Sequence, residues 1–308
     1  MKSKELCNYL ERLRSARNMS QESFTTGITS LRQYRRYLSG ESDLPFQVID
    51  QLCDRLGIQT INLIRELETA RIEESKEIDQ FYNYVVYNNR EIIDKLRLRY
   101  DKREFIDVEN RMVYEHSCNL YDFMNQKMNV ETMAKLTKDL INFHKIGKQT
   151  IFTMTEMFIL TALLDLEPKA SEKQMIASRI KTALTDSSVV LGSSVNFAYQ
   201  LVLFRLAKYS GSNKEYNDVI SYCKLGIDHA TSIKNYYLLE YFYYYSALAH
   251  YRLGDLEPYE NHLMKCFVAL HLDGNAKKIE KFTQMINRDF NISFADFVIE
   301  HYRKNQTQ

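Results

Sequence analysis

Four long polar side chains crowd into five positions of this chain: Arg32, Gln33, Arg35 and Arg36, interleaved with Tyr34 and Tyr37. Arginine carries two parallel N–H donors that match O6 and N7 of guanine, and glutamine carries a donor and an acceptor that match adenine. The same groups also hold phosphate oxygens, a contact that sets register without reading sequence. All four lie in LRQYRRYL, a segment with helical spacing. At 100° per residue, Leu31, Tyr34 and Leu38 share a face expected to pack inward. Arg32, Arg35 and Arg36 then point outward together, with Gln33 at the edge. A basic run by itself is usually a solvated helix face. Its meaning depends on the elements that position it.

Those elements are short helices. Leu6, Cys7, Leu10, Leu13 and Ala16 have helical spacing, and Asn18 and Met19 close that helix. Ser20 caps a second helix at SQES, which Gly27 breaks. Ser30 or Thr29 caps the third, and Ser39-Gly40 ends it. Asp43 is expected to cap a fourth, opened by Leu44 and Pro45 and running through Val48, Ile49, Leu52 and Leu56 to Gly57. A fifth is expected from Thr60 to Glu68.

Five short helices within the first 70 residues resemble the compact Xre-type helix-turn-helix domain of lambda-like repressors. Met19-Ser20-Gln21-Glu22 resembles the opening of that family's second helix. Ser39-Gly40-Glu41-Ser42 resembles the turn after its recognition helix, and Pro45-Phe46 through Leu56-Gly57-Ile58 resembles its closing helix. One departure is Thr25-Thr26-Gly27-Ile28-Thr29, which stands where the family has a small residue and a GVS turn. It leaves the start of the third helix open by a residue or two. The resemblance implies that Ser30, Arg32 and Arg36 face a DNA groove. Arg32 and Arg36 are assigned to bases, Gln21, Ser30 and Arg35 to phosphates, and Gln33 to the edge of the same surface.

The bulk composition agrees with an all-α chain. Of 308 residues 45% are hydrophobic, enough for a substantial core, and only 9 are Gly and 3 Pro, too few for many tight turns. The net charge of +1 means that any polyanion site is local. Cys7, Cys53, Cys118, Cys223 and Cys266 contain no CxxC pair, which suggests free thiols in a reducing compartment. The N-terminus lacks a continuous apolar run, and no apolar stretch reaches 18 residues, so a cytoplasmic chain without a membrane span is expected. His116, His144, His229, His250, His262, His271 and His301 form no HExxH. Cys223 with His229 and Cys266 with His271 are helix neighbours without further metal ligands. Without a Walker loop or GxGxxG, no enzyme activity, cofactor or metal is expected.

Alternating charges after Ile64 read as a helical linker, which divides the chain into a head, 1–70, and a body, 71–308. The body is expected to be helical over 75–95, 103–127, 130–145, 150–165, 171–187, 193–209, 213–231, 235–253, 256–271, 275–288 and 293–304. Breaks are expected at Gly147, Pro168, Gly192, Gly211, Gly254 and Gly274. In the last third, helix pairs begin near Ser194, Tyr236 and Gly274. Ala247, Ala249 and Tyr251 before Gly254-Asp255 resemble the tetratricopeptide pattern, in which small residues let paired helices approach. The expected architecture is therefore a lambda-repressor-like helix-turn-helix domain followed by a tetratricopeptide-like α-solenoid.

Such an array presents a face suited to an extended peptide. The amides of Asn196, Gln200 and Asn235 have donors and acceptors for its backbone, and Arg205 suits a terminal carboxylate. Tyr199, Tyr237 and Tyr241 suit its apolar side chains, although a tyrosine stripe is more often core. In architecture the whole chain resembles the peptide-pheromone receptors of Gram-positive bacteria and their phages, the RRNPP class of Rgg-, PlcR- and arbitrium-type receptors. That resemblance implies a quorum-sensing transcription regulator, a homodimer that binds a double-stranded operator under control of a short signalling peptide. The alternative is a DNA-binding regulator whose helical body binds another protein or only dimerises.

Overall fold

The computed structural model describes residues 3–103, 105–146, 148–185, 189–190 and 197–306. They form two compact units, Met1–Glu74 and Ser75–Gln308.

The first unit holds α1 (Ser3–Ala16), α2 (Gln21–Thr25), α3 (Leu31–Ser39), α4 (Phe46–Arg55) and the start of α5 (Thr60–Val86). Local chemistry sets most of these boundaries. Asn18 turns the chain out of α1 with φ +54, a conformation asparagine tolerates. Ser20 Oγ accepts the Ser23 N–H at 3.0 Å, and Ser30 Oγ accepts the Gln33 N–H at 3.1 Å, so Ser30 rather than Thr29 caps α3. Gly40, at φ +82, ends that helix. Asp43 does not cap α4. The residue before it is Pro45, which makes no side-chain cap bond. Proline pre-sets φ and pushes the residue before it out of the helical region, so Phe46 begins the helix and Asp43 lies too far upstream.

The core of this unit includes Leu6, Cys7, Leu10, Phe24, Tyr34, Ile49, Leu52, Cys53, Leu56 and Leu63. Tyr34 meets the Phe24 ring edge-on at 5.8 Å. The inward face of α3 is centred on Tyr34 and Tyr37, both buried, while Leu31 and Leu38 are half-buried. The face expected from the wheel is thus turned towards Tyr37.

The fifth helix does not stop at Glu68. It runs 27 residues without a glycine or proline, and the division between the units falls inside it. The break comes at Asn88, in the left-handed region at φ +51, where a continuous helix over 75–95 was expected.

The second unit continues with α6 (Arg90–Tyr100), α7 (Val108–Met124), α8 (Val130–Leu140), α9 (Phe143–Ile146), α10 (Met154–Leu166) and α11 (Ala170–Thr185). It ends with α12 (Ala198–Ser212), α13 (Tyr216–Ser232), α14 (Leu239–Leu253), α15 (Leu256–Asp273), α16 (Ala276–Phe290) and α17 (Phe294–Gln306). A two-residue parallel ladder, β1 (Phe152–Thr153) with β2 (Val189–Val190), was not expected from the sequence. Gly254 and Gly274 end α14 and α15 in left-handed conformations. Gly211 lies in the last turn of α12 rather than after it. Gly147 and Gly192 lie outside the described residues.

The helices stack as hairpins, α12 against α13 and α14 against α15, while α10, α12, α14 and α16 neighbour one another in a layer. Their core is continuous from Ile78 to Ala249. Helix α10 is buried along most of its length, with Glu156 and Asp165 its only charged residues, which suits the centre of the stack. Gly226 of α13 faces the Phe242 ring of α14 so closely that a methyl group there would overlap it. This is the close approach that small residues permit in paired helices.

Candidate functional site

In the first unit, Arg32, Arg35 and Arg36 are exposed side by side on α3. Among the described residues Arg32 and Arg35 have no acidic partner within ion-pair distance. Arg36 lies 3.6 Å from Glu41 and donates to Gln33 Oε1 at 3.3 Å. Gln33 in turn donates to Ser42 Oγ at 2.9 Å, which ties the arginine row to the turn after the helix. Ser30 sits at the N-terminus of α3, where its Oγ serves as cap acceptor and its O–H remains a donor.

Gln21 has a structural task as well. Its amide donates to Glu11 Oε1 at 2.8 Å. Glu11 also accepts from Arg14 at 2.7 Å and from Tyr34 at 2.8 Å, so one carboxylate joins α1, α2 and α3. Burial pushes this carboxyl up, but hydrogen bonds from Arg14, Gln21 and Tyr34 outweigh it and hold it below its ordinary value. Burial raises the Tyr34 phenol, and its bond to Glu11 raises it further. Burial likewise pushes the Cys7 thiol up to about 12, which makes it inert core.

The turn between α2 and α3 is held by a residue that sequence reasoning missed. Arg55 Nη1 donates to Ser23 O at 3.0 Å, Phe24 O at 3.1 Å and Thr26 O at 2.5 Å. It therefore satisfies carbonyls left open at the end of α2. Nothing local to Arg55 signals this, because its partners lie about thirty residues upstream.

In the second unit the expected peptide contacts do not form one cluster. Asn196 lies outside the described residues. Gln200 is buried and donates to Asn235 O at 2.9 Å, while its own Oε1 is a buried acceptor without a partner. Asn235 Oδ1 accepts the Tyr237 N–H at 3.2 Å, and Tyr237 meets Phe197 edge-on at 5.9 Å. These residues gather at the N-terminal ends of α12 and α14.

Tyr199 instead packs on His229 of α13, with ring centroids 4.8 Å apart, so its ring lies within the α12–α13 hairpin. Arg205 is buried, not displayed on an open face. It donates to Phe158 O at 2.8 Å and Thr161 Oγ1 at 3.3 Å, and its guanidinium lies 5.2 Å from the Phe158 ring. Those acceptors and the ring draw it into the stack. Beside it His116 is fully buried and neutral, held down at about 3 by burial and by the Arg205 charge.

Tyr241 is half-exposed between Phe204, at 5.0 Å, and Phe282, at 4.7 Å, with Lys281 Nζ 3.4 Å from its hydroxyl. It marks a stripe the sequence reading did not assemble. Gln200, Phe204 and Lys208 lie at four-residue spacing on α12, and Tyr241, Tyr245, Leu248 and Arg252 at three- and four-residue spacing on α14. The spacing was visible in the sequence, but only the packing of α12 beside α14 and α14 beside α16 shows that the stripes adjoin.

Cys223 is buried, and Cys266 Sγ donates to Glu240 O at 3.4 Å. Among the described residues no group of three or more His, Cys, Asp or Glu could hold a metal ion. Among them, no helix is long and apolar enough to cross a membrane.

No protein-family model and no curated protein matches the chain. Solved structures do. PlcR of Bacillus thuringiensis, in complex with the peptide PapR7 and DNA, matches with a TM-score of 0.61 at 14% identity, over 93% of this chain and 100% of that one. ComR of S. thermophilus, in complex with DNA and its signalling peptide ComS, matches with a TM-score of 0.58 at 13% identity, over 92% and 99%. PrgX in complex with cCF10 matches with a TM-score of 0.53 at 17% identity, over 96% and 98%. The chain shares their fold, a helix-turn-helix head followed by a tetratricopeptide-like helical solenoid. This is the fold that the resemblance implied.

Proposed function

We propose that this chain is a DNA-binding transcription regulator controlled by a short signalling peptide. Residues 1–70 serve as the DNA reader, and 71–308 as the peptide-binding and dimerising body. The observation that carries the reading is the outward row of Arg32, Arg35 and Arg36 on α3, backed by buried Tyr34 and Tyr37. Such a row fits a major groove, with Arg32 and Arg36 at base edges. Arg35, Ser30 and the second amide hydrogen of Gln21 meet phosphates, and Gln33 steadies Arg36. PlcR and ComR, which share the fold, were each solved with DNA and a peptide together.

The peptide acts by population shift: it moves the protein between arrangements only as far as its affinities for them differ. The body brings two heads to half-sites about one helical turn, or a multiple, apart. Exposed apolar residues late in the chain, Leu256 at 65% and Leu272 at 73%, offer surface for that self-association. The protein acts in the cytoplasm, where both operator and imported peptide are available.

The test is selection of bound duplexes from a random pool by the full chain. A recovered motif that degrades in Arg32→Ala and Arg36→Ala supports the reading. Recovery without sequence preference contradicts it.

A further inference from the structure

Beyond the residues expected to meet a peptide backbone, a cavity of about 690 Å³ opens at the C-terminal ends of α12, α14 and α16. Its walls carry four cations, Lys208, Lys214, Arg252 and Arg288, against one carboxylate, Asp289. Half-buried Tyr245, Leu248 and Met285 supply its apolar part. Its size lies within the range of ligand sites, roughly 300–1,000 Å³.

The charges are unevenly matched. Lys208 is paired with Asp165 at 2.7 Å, and Arg288 with Asp289 at 2.7 Å. Asp289 also accepts from the Tyr244 hydroxyl. Among the described residues Lys214 and Arg252 have no carboxylate within ion-pair distance. Lys214 is held at the α12–α13 turn in the left-handed region, at φ +63, with its N–H on Gly211 O at 3.1 Å. A non-glycine residue rarely adopts that conformation. The single wall carboxylate is already occupied, so the cavity has little to offer an incoming ammonium and much to offer an incoming carboxylate.

The cavity continues the stripe of half-buried Phe204, Tyr241 and Tyr245. From Phe204 to Gly211 is seven helical residues, about 10 Å at 1.5 Å per residue. An extended chain covers that distance in about three residues. A peptide lying on Phe204 and Tyr241 therefore reaches the cationic end within its own short length.

We infer that this cavity reads the acidic end of the ligand, so that the chain selects short peptides carrying Asp or Glu near a free C-terminus. The inference rests on the reading of the helical unit as a peptide receptor. Carboxylates of the ligand pair with Lys214 and Arg252, and apolar side chains next to them lie on Tyr245 and Met285. No bond is made or broken.

The experiment incubates the full-length protein with a random synthetic heptapeptide pool and sequences the captured peptides by mass spectrometry. The parent is expected to enrich Asp and Glu in the last positions about tenfold over the input, the size one charge-assisted hydrogen bond carries. The Lys214→Gln, Arg252→Gln variant is expected to capture peptides without that enrichment. Lys214→Glu with Arg252→Glu, checked for an unchanged melting midpoint, should turn the preference towards Lys and Arg. Peptides captured by the parent without acidic enrichment overturn the inference, as does acidic enrichment that survives in both variants. No capture by the parent overturns the peptide-receptor reading itself, a different failure from capture without charge preference.

Discussion

The Tyr34 hydroxyl donates to Glu11 Oε2 at 2.8 Å, which ties the arginine-bearing helix to the first helix of the chain through a largely buried hydrogen bond. The same carboxylate holds Gln21 and Arg14, so α3 is oriented from behind by one acidic residue. Tyr34→Phe removes one donor and leaves the ring packing. The expected cost to the first unit is about 1.5–3 kcal/mol, the range of a hydrogen bond to a charged group. Chemical denaturation of the full chain, followed by a probe placed in that unit, measures it.

The carboxylate also sets a pH dependence. Glu11 is held below its ordinary value in the folded chain, so its stabilisation is fully present above the ordinary carboxylate range. It is lost as pH falls through the lowered value. Glu11→Gln should lower stability at neutral pH and flatten the acid side of the stability profile. Parallel profiles for parent and variant would show that Glu11 does not carry this linkage.

The arginine row separates base reading from phosphate holding. Arg32→Ala and Arg36→Ala should each lose about 1–3 kcal/mol of discrimination at particular base pairs. Arg35→Ala should weaken binding to all sequences and reduce the salt slope by about one. Gel shifts on the selected operator and on single-base variants, at several salt concentrations, distinguish the two patterns.

Much of the head was legible because its boundaries are local. Ser20, Ser30, Gly27 and Gly40 act within a few residues of themselves, and each stands where the sequence placed a cap or break. Asp43 misled because two residues, one of them proline, separate it from the first helical residue. The body was legible as a series of helices but not as a site. Tyr199, Arg205 and Tyr241 are all apolar-compatible positions on helices with little polar asymmetry. Which way each turns is decided by His229, Phe158 and Phe282, residues far off in sequence. Periodicity identifies a face only when one side of a helix is polar, and α10, α12 and α14 lack that contrast.

Packing of the body makes its own prediction. Gly226→Ala places a methyl group into the Phe242 ring and should destabilise the body by about 1–3 kcal/mol, despite the better helix propensity of alanine. Phe242→Leu in the same chain should recover part of the loss. Thermal unfolding of the single and double variants tests it. A neutral Gly226→Ala would mean that α13 and α14 are less tightly packed.

The most direct test of the central claim is a titration of the selected operator duplex with the full chain, followed by fluorescence anisotropy, with and without a captured peptide. The account predicts a binding midpoint that moves about tenfold or more when the peptide is added, with a scrambled duplex bound weakly in both cases. A midpoint that is the same for operator and scrambled duplex, or that no captured peptide moves, would contradict it.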